Sequence, residues 1–195
     1  MTAKERFEEI FTQNVKREGS QKLLEYLKKS DFFTAPASSR FHGNVEGGLV
    51  AHSVFVYERL VNILKNEFGD GYTQKYSNET VAIVSLLHDL CKIGYYKVEY
   101  RNVKDANGVW NKVPYYAVND AFPYGHGEKS VYMINSFMRL TAEEAMSINW
   151  HMGGFDDRVK GNSYAVGEAF KIYPLAVFLH VADLTATYID EKTSE

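Results

Sequence analysis

The chain has 195 residues, 45% hydrophobic and 24% charged, the balance of one ordinary globular domain long enough to bury a core unaided. With a net charge of −3 no basic field announces a nucleic-acid partner, though a bound cation can supply positive charge for a nucleotide locally, and a single cysteine excludes an internal disulfide and fits a reducing, cytoplasmic setting. The charged N-terminus lacks a signal peptide's apolar stretch, and no run approaches the roughly 18 apolar residues of a spanning helix, so no membrane partner is expected.

In chain order, residues from about 3 to 15 and 20 to 29 form two short amphipathic helices, marked by Phe7, Ile10 and Phe11 and by Leu23, Leu24 and Leu27. A loop with Arg40 and His42 follows. Gly47-Gly48 opens a long helix whose stripe of Val50, Val54, Tyr57, Val61 and Leu64 places His52 near the core. Asn78 is the expected N-cap of a helix from Thr80 to Leu90 that is apolar nearly all round, hence central and buried, yet ends in His88 and Asp89. Gly94 is its stop. The segment from about 96 to 118 is rich in Val, Tyr and Trp around Asn107-Gly108 and predicts a β-hairpin, with Pro114 confining the second strand to an edge. Helices resume at about Gly127. Thr141 to Glu144 is a capping box that opens a helix running to His151, Gly153-Gly154 ends it, and Pro174 opens the last helix.

The chemistry lies in the polar residues of these apolar helices. A carboxylate such as Asp183, inside a nearly apolar helix, is costly unless it is paired or metal-bound. His52, His88, Asp89, His126, His151 and Asp183 come from several helices that each offer an imidazole or carboxylate to one interior. These are ligands for Mn, Fe, Co, Ni or Zn. A pair of such ions about 3.5–4 Å apart lowers the pKa of a bound water and clamps a phosphate. Lys92, one turn beyond His88, emerges on the same side, and beside cations it calls for an anion such as a phosphoryl group.

At these residues the chain resembles the HD superfamily of metal-dependent phosphohydrolases. The words GGLVAHSVFVYERL, LLHDLCKIG, GHGEKSVYMI, INWHMGG and LHVADLTATY carry the resemblance across roughly residues 40 to 190. It implies an all-α bundle of about five helices, here one domain over 1–195 with an N-terminal pair of helices at 3–29 and a small inserted hairpin at about 96–118. It further implies one or two divalent transition-metal ions. His52, His88, Asp89 and Asp183 would hold the first, and His126 and His151 the second, with Asp89 bridging. Asp89 and Lys92 would be catalytic, Lys92 contacting the phosphate. The implied reaction is hydrolysis of a phosphomonoester or phosphodiester, usually of a nucleotide, by hydroxide generated at the metals. A short nucleic acid is a further candidate partner.

Several residues keep two readings. Arg40 and His42 are either loop residues or phosphate contacts. The hairpin's tyrosines and Trp110 either cover a sheet face against the bundle, or Tyr100, Arg101 and Tyr115 line the cleft and stack on a base. His180, three residues before Asp183, either packs near the site or orients that carboxylate. Cys91 is expected as a small buried hydrophobe. Two other functions compete: a di-iron oxygenase built on the same ligand set, and a non-catalytic nucleotide-binding module.

Overall fold

The computed structural model describes residues 1–40 and 43–191. As expected, the architecture is mostly helical with one two-stranded antiparallel sheet. Helices α1 (Ala3–Asn14) and α2 (Ser20–Lys29) bury Phe7, Ile10, Phe11, Leu23, Leu24 and Leu27. Phe7 packs on Phe11, Phe32 and Phe33 as an aromatic layer beneath the bundle. Helix α3 (Gly48–Phe68) lies against α1, α4 (Asn78–Leu87) and α9 (Pro174–Thr185).

Helix α4 is the central rod. Every residue from Val81 to Leu87 is buried, which is why its sequence shows no polar stripe. Two boundaries differ from expectation. Ser77 is the N-cap, its Oγ accepting from Thr80 N at 3.1 Å from an extended backbone, while Asn78 occupies the first helical position and accepts from the Tyr72 hydroxyl at 3.0 Å. The helix also stops at Leu87, not Leu90. Asp89 leaves helical dihedrals at φ −103°, ψ 22°, and Leu90–Lys92 forms a 3₁₀ turn.

Strands β1 (Tyr96–Lys104) and β2 (Trp110–Val118) pair from Tyr96 opposite Val118 to Lys104 opposite Trp110. The connection is a five-residue loop, not a two-residue Asn-Gly turn. Asp105 organises it, its Oδ1 accepting from the backbone of Asn107 and Val109 at 2.9 Å each. Pro114 has no neighbour on its outer side because both strands are edges.

Helices α5 (His126–Asn135) and α6 (Ala142–Asn149) pack together, and α6 packs on α9. The Thr141–Glu144 capping box is present. A 3₁₀ turn at Gly153–Phe155 and two short helices, α7 (Asp157–Lys160) and α8 (Ala165–Ile172), lie between α6 and α9. Neither helix was expected from the sequence. Helix α9 runs on into a π turn, Ala186–Asp190. No single helix among the described residues is long and apolar enough to cross a membrane.

Candidate metal centre

Six of the residues singled out in the sequence meet around Asp89, which the break after α4 turns into the bundle. Its Oδ1 lies 2.9 Å from His126 Nε2 and 3.5 Å from His151 Nε2. Its Oδ2 lies 3.4 Å from His88 Nε2, 3.6 Å from His52 Nε2 and 2.6 Å from Lys92 Nζ. His52 Nε2 also stands 3.2 Å from Asp183 Oδ1 and 3.1 Å from His88 Nε2. The donors come from α3, the end of α4, the start of α5, the residues just past α6, and α9. His52, His88, Asp89 and His151 are all buried.

The outer nitrogens explain how the rings are aimed. His88 Nδ1–H donates to Ser85 O at 2.8 Å and His151 Nδ1–H to Ile148 O at 2.7 Å, each reaching back three residues to a carbonyl in the last turn of its own helix. His52 Nδ1–H donates to Glu191 Oε1 at 2.5 Å. His126 Nδ1 faces Cys91 Sγ at 3.3 Å. All four imidazoles present Nε2 inward, and His52, His88 and His151 have the carboxylate or backbone partner behind Nδ1 that fixes the tautomer of a metal-ligating histidine, whereas His126 has a thiol there. With Nδ1 protonated, His151 Nε2 is an acceptor, and it has no hydrogen-bond partner among the described residues although a carboxylate oxygen stands 3.5 Å away. Two acceptors facing each other in a dry interior call for a cation.

Three overlapping groups have ligand atoms within 4.8 Å of one another: His52, His88 and Asp183; His88, Asp89 and His151; Asp89, Cys91 and His126. Nitrogen and oxygen donors in this ratio suit a transition metal. The residues present fit such an ion.

Neither a protein-family model nor any curated protein or solved structure matches this chain.

The electrostatics follow from burial and pairing. Burial alone would lower the pKa of His52, but Asp183 and Glu191 on its two nitrogens raise it to about 9. Burial would raise Asp89 and Asp183, yet Lys92 and the surrounding imidazoles hold the first, and His52 the second, well below the carboxylate range. Burial would lower Lys92, and Asp89 raises it instead. His151 is pushed down by burial.

The remaining expectations divide. Lys92 does meet an anion, but that anion is Asp89 itself, so a phosphoryl group is not required to explain its position. Cys91 is buried as expected, but as a partner of His126, not an inert filler. His180 donates Nδ1–H to His151 O at 2.7 Å and so braces the residue behind the site, not Asp183. Arg40, Arg101 and Tyr115 line a cavity of about 680 Å³ beside the hairpin, whereas His52, Asp89, Lys92, His126 and Asp183 line another of about 450 Å³; Ser39 borders both. Arg101 rests over the Tyr115 ring at 5.4 Å. His42 lies outside the described residues.

Glu191 and Tyr96 escaped the sequence reading. Glu191 lies in a short charged run, Asp190-Glu191-Lys192, and only the π turn after α9 brings it to His52. Tyr96 looked like one hairpin tyrosine among many, but it lines the metal cavity. Burial pushes its hydroxyl up to about 12, so it stays protonated and donates to Ala37 O at 3.4 Å.

Proposed function

We propose that the chain is a metal-dependent phosphohydrolase of the HD type, acting on a phosphate ester and most simply on one borne by a nucleotide. The observation that carries this is the convergence of four inward Nε2 atoms and two carboxylates, with Asp89 offering one oxygen to His126 and His151 and the other to His52 and His88. A carboxylate so placed suits two ions, His52, His88, Asp89 and Asp183 holding one and His126, His151 and Asp89 the other. Such ions supply Lewis acidity and a deprotonated water near neutral pH.

The protein's own residues do the rest. Glu191, Ser85 O and Ile148 O fix ring orientation from behind. Lys92 stands charged on the cavity wall, where it can receive a phosphoryl oxygen. The Tyr96 ring stands on the same wall, its hydroxyl donating to Ala37 O at 3.4 Å. Met152, Phe155 and Leu184 line the same cavity and limit water around the ester.

The test is phosphate release from a panel of nucleotides and simple esters with Mn, Co, Ni, Fe and Zn, read beside elemental analysis. We expect turnover in the presence of metal, abolished by EDTA. Asp89→Ala should lose more metal than His126→Ala and retain no turnover, because one substitution removes a ligand from each ion. Full metal content and activity in Asp89→Ala would refute the assignment. One observation keeps the di-iron oxygenase alternative open: Lys92 is neutralised by Asp89, so it does not by itself demand a phosphate. Oxygen uptake with iron, without phosphate release, would select that alternative.

A further inference from the structure

We infer that the even-numbered face of the β1–β2 hairpin binds single-stranded nucleic acid and leads its backbone to the metal centre. This names the substrate class for the site proposed above; it takes its chemistry from that proposal, but not its binding. The antiparallel register, Tyr96 opposite Val118 through Lys104 opposite Trp110, puts the even-numbered residues of both strands on one face. That face, all of it among the described residues, carries four rings (Tyr96, Tyr100, Trp110 and Tyr116), two lysines and no carboxylate. The acids of the hairpin are elsewhere: Glu99 is on the opposite face, bonded to Tyr115, and Asp105 is spent on the loop.

Two of the four rings are displayed, and Tyr96 and Tyr116, nearer the bundle, are half-buried. Trp110 is 66% exposed and Tyr100 60%. Lys112 Nζ stands 5.1 Å from the centre of the Tyr100 ring and Lys104 Nζ 5.8 Å from that of Trp110. An exposed ring beside a cation can stack a base and meet its phosphate at once. The face is also continuous with the site. Tyr96 and Val118, at its inner end, line the metal cavity. Val98, Pro114 and Tyr116 line the adjoining cavity together with Arg101 and Tyr115 of the other face, Arg40 and one acid, Glu46. Nine residues per strand span about 30 Å, room for on the order of four nucleotides, at the lower end of known site sizes.

A protein partner fits less well, because the centre of a protein interface is depleted of charge whereas lysines here sit over the rings. A duplex fits less well because its base faces are already stacked. With few phosphates engaged, the salt dependence should be shallow, a slope of about −2 in log affinity against log salt.

The experiment is fluorescence anisotropy of a labelled eight-residue oligothymidylate with the full chain in EDTA, where no metal-dependent turnover occurs, alongside a blunt duplex of equal length. We expect binding of the single strand with quenching of Trp fluorescence, and at least about tenfold weaker binding of the duplex. Tyr100→Ala and Lys112→Glu should each weaken binding by about tenfold, and Tyr100→Phe should bind as the parent does. These exposed positions leave the fold intact, which circular dichroism verifies. Absence of single-strand binding, equal affinity for the duplex, or binding indifferent to Tyr100→Ala would each overturn the inference. So would a concentration-dependent dimer abolished by Trp110→Ala with no oligonucleotide bound, which would make the face a contact between copies. Oligonucleotide binding without hydrolysis of any ester would leave this inference standing and remove the proposed function; the reverse result would remove only this inference.

Discussion

At the scale of single residues, Lys92 shows how a side chain balances two partners. Its ammonium lies 2.6 Å from Asp89 Oδ2, the same oxygen that faces His52 and His88. In metal-free protein it stabilises a buried carboxylate; with metal it competes for that carboxylate. Lys92→Met should therefore lower the stability of the EDTA-treated protein by about 3 kcal/mol, the low end for breaking a buried pair because Lys92 keeps some exposure. The same variant should bind metal more tightly and turn over phosphate esters about 100-fold more slowly. Thermal melts with and without EDTA separate the two effects, and equal melting points in EDTA would contradict the pairing. His52 predicts the pH behaviour. Its pKa, raised from 6.5 to about 9, means that its ion pairs stabilise the metal-free fold fully below pH 6.5 and are lost as pH rises through 9. Metal binding needs the deprotonated ring. The melting temperature in EDTA should thus fall from pH 6.5 to 9 while metal affinity rises over the same window, and a flat EDTA profile would exclude the His52 assignment.

At the scale of elements, the site depends on how closely α5 and α6 approach. Gly127 is the second residue of α5, and a Cβ there would stand 2.2 Å from Asn149 O and 2.6 Å from Asn149 C, at the end of α6. Backbone cannot yield as a side chain tip can. His126 and His151 flank this contact, one residue before Gly127 and two after Asn149. Gly127→Ala should therefore separate the helices, cost about 1–3 kcal/mol, and lower metal content toward one ion per chain. Chemical denaturation and elemental analysis check both, and a variant with parental stability would show that the helices have slack. The hairpin has the opposite character. It rests on the bundle mainly through its inner end, where Tyr96 and Val118 border the cavity, and its tip is exposed.

At the scale of the whole molecule, one buried network ties the N-terminal region to the bundle. Glu144 is fully buried, and its carboxylate accepts from Arg17 Nη1 and Nη2 at 2.8 and 2.9 Å, from Thr80 Oγ1 at 2.9 Å and from Thr141 N at 2.9 Å. Arg17 also reaches Glu79 at 3.3 Å. Arg17→Met should strand the Glu144 charge and cost about 3–5 kcal/mol with the metal ligands untouched. Urea midpoints measure it, and a change below about 1 kcal/mol would mean that water replaces the guanidinium. At the far end of the chain, Arg59 holds Asp190 through Nε at 2.6 Å and Nη2 at 2.5 Å, fastening the π turn that delivers Glu191 to His52.

Local pattern was enough for the helices other than α7 and α8, for the hairpin and for the capping box at Thr141, because periodicity, turn residues and caps act over a few neighbours. The residues that cluster around Asp89 were legible for a related reason: imidazoles and carboxylates on apolar helices, such as His52 and Asp183, are out of place unless something binds or pairs with them. Glu191, the Lys92–Asp89 pair, the Arg17–Glu144 bond and the separation of Arg101 and Tyr115 from the metal cavity carried no such signal. Each depends on where distant segments come to rest, and a charged residue in a polar stretch reads the same whether it ends in water or against a buried imidazole. Only the packing of α3, α4, α5, α6 and α9 around Asp89 decided between the two.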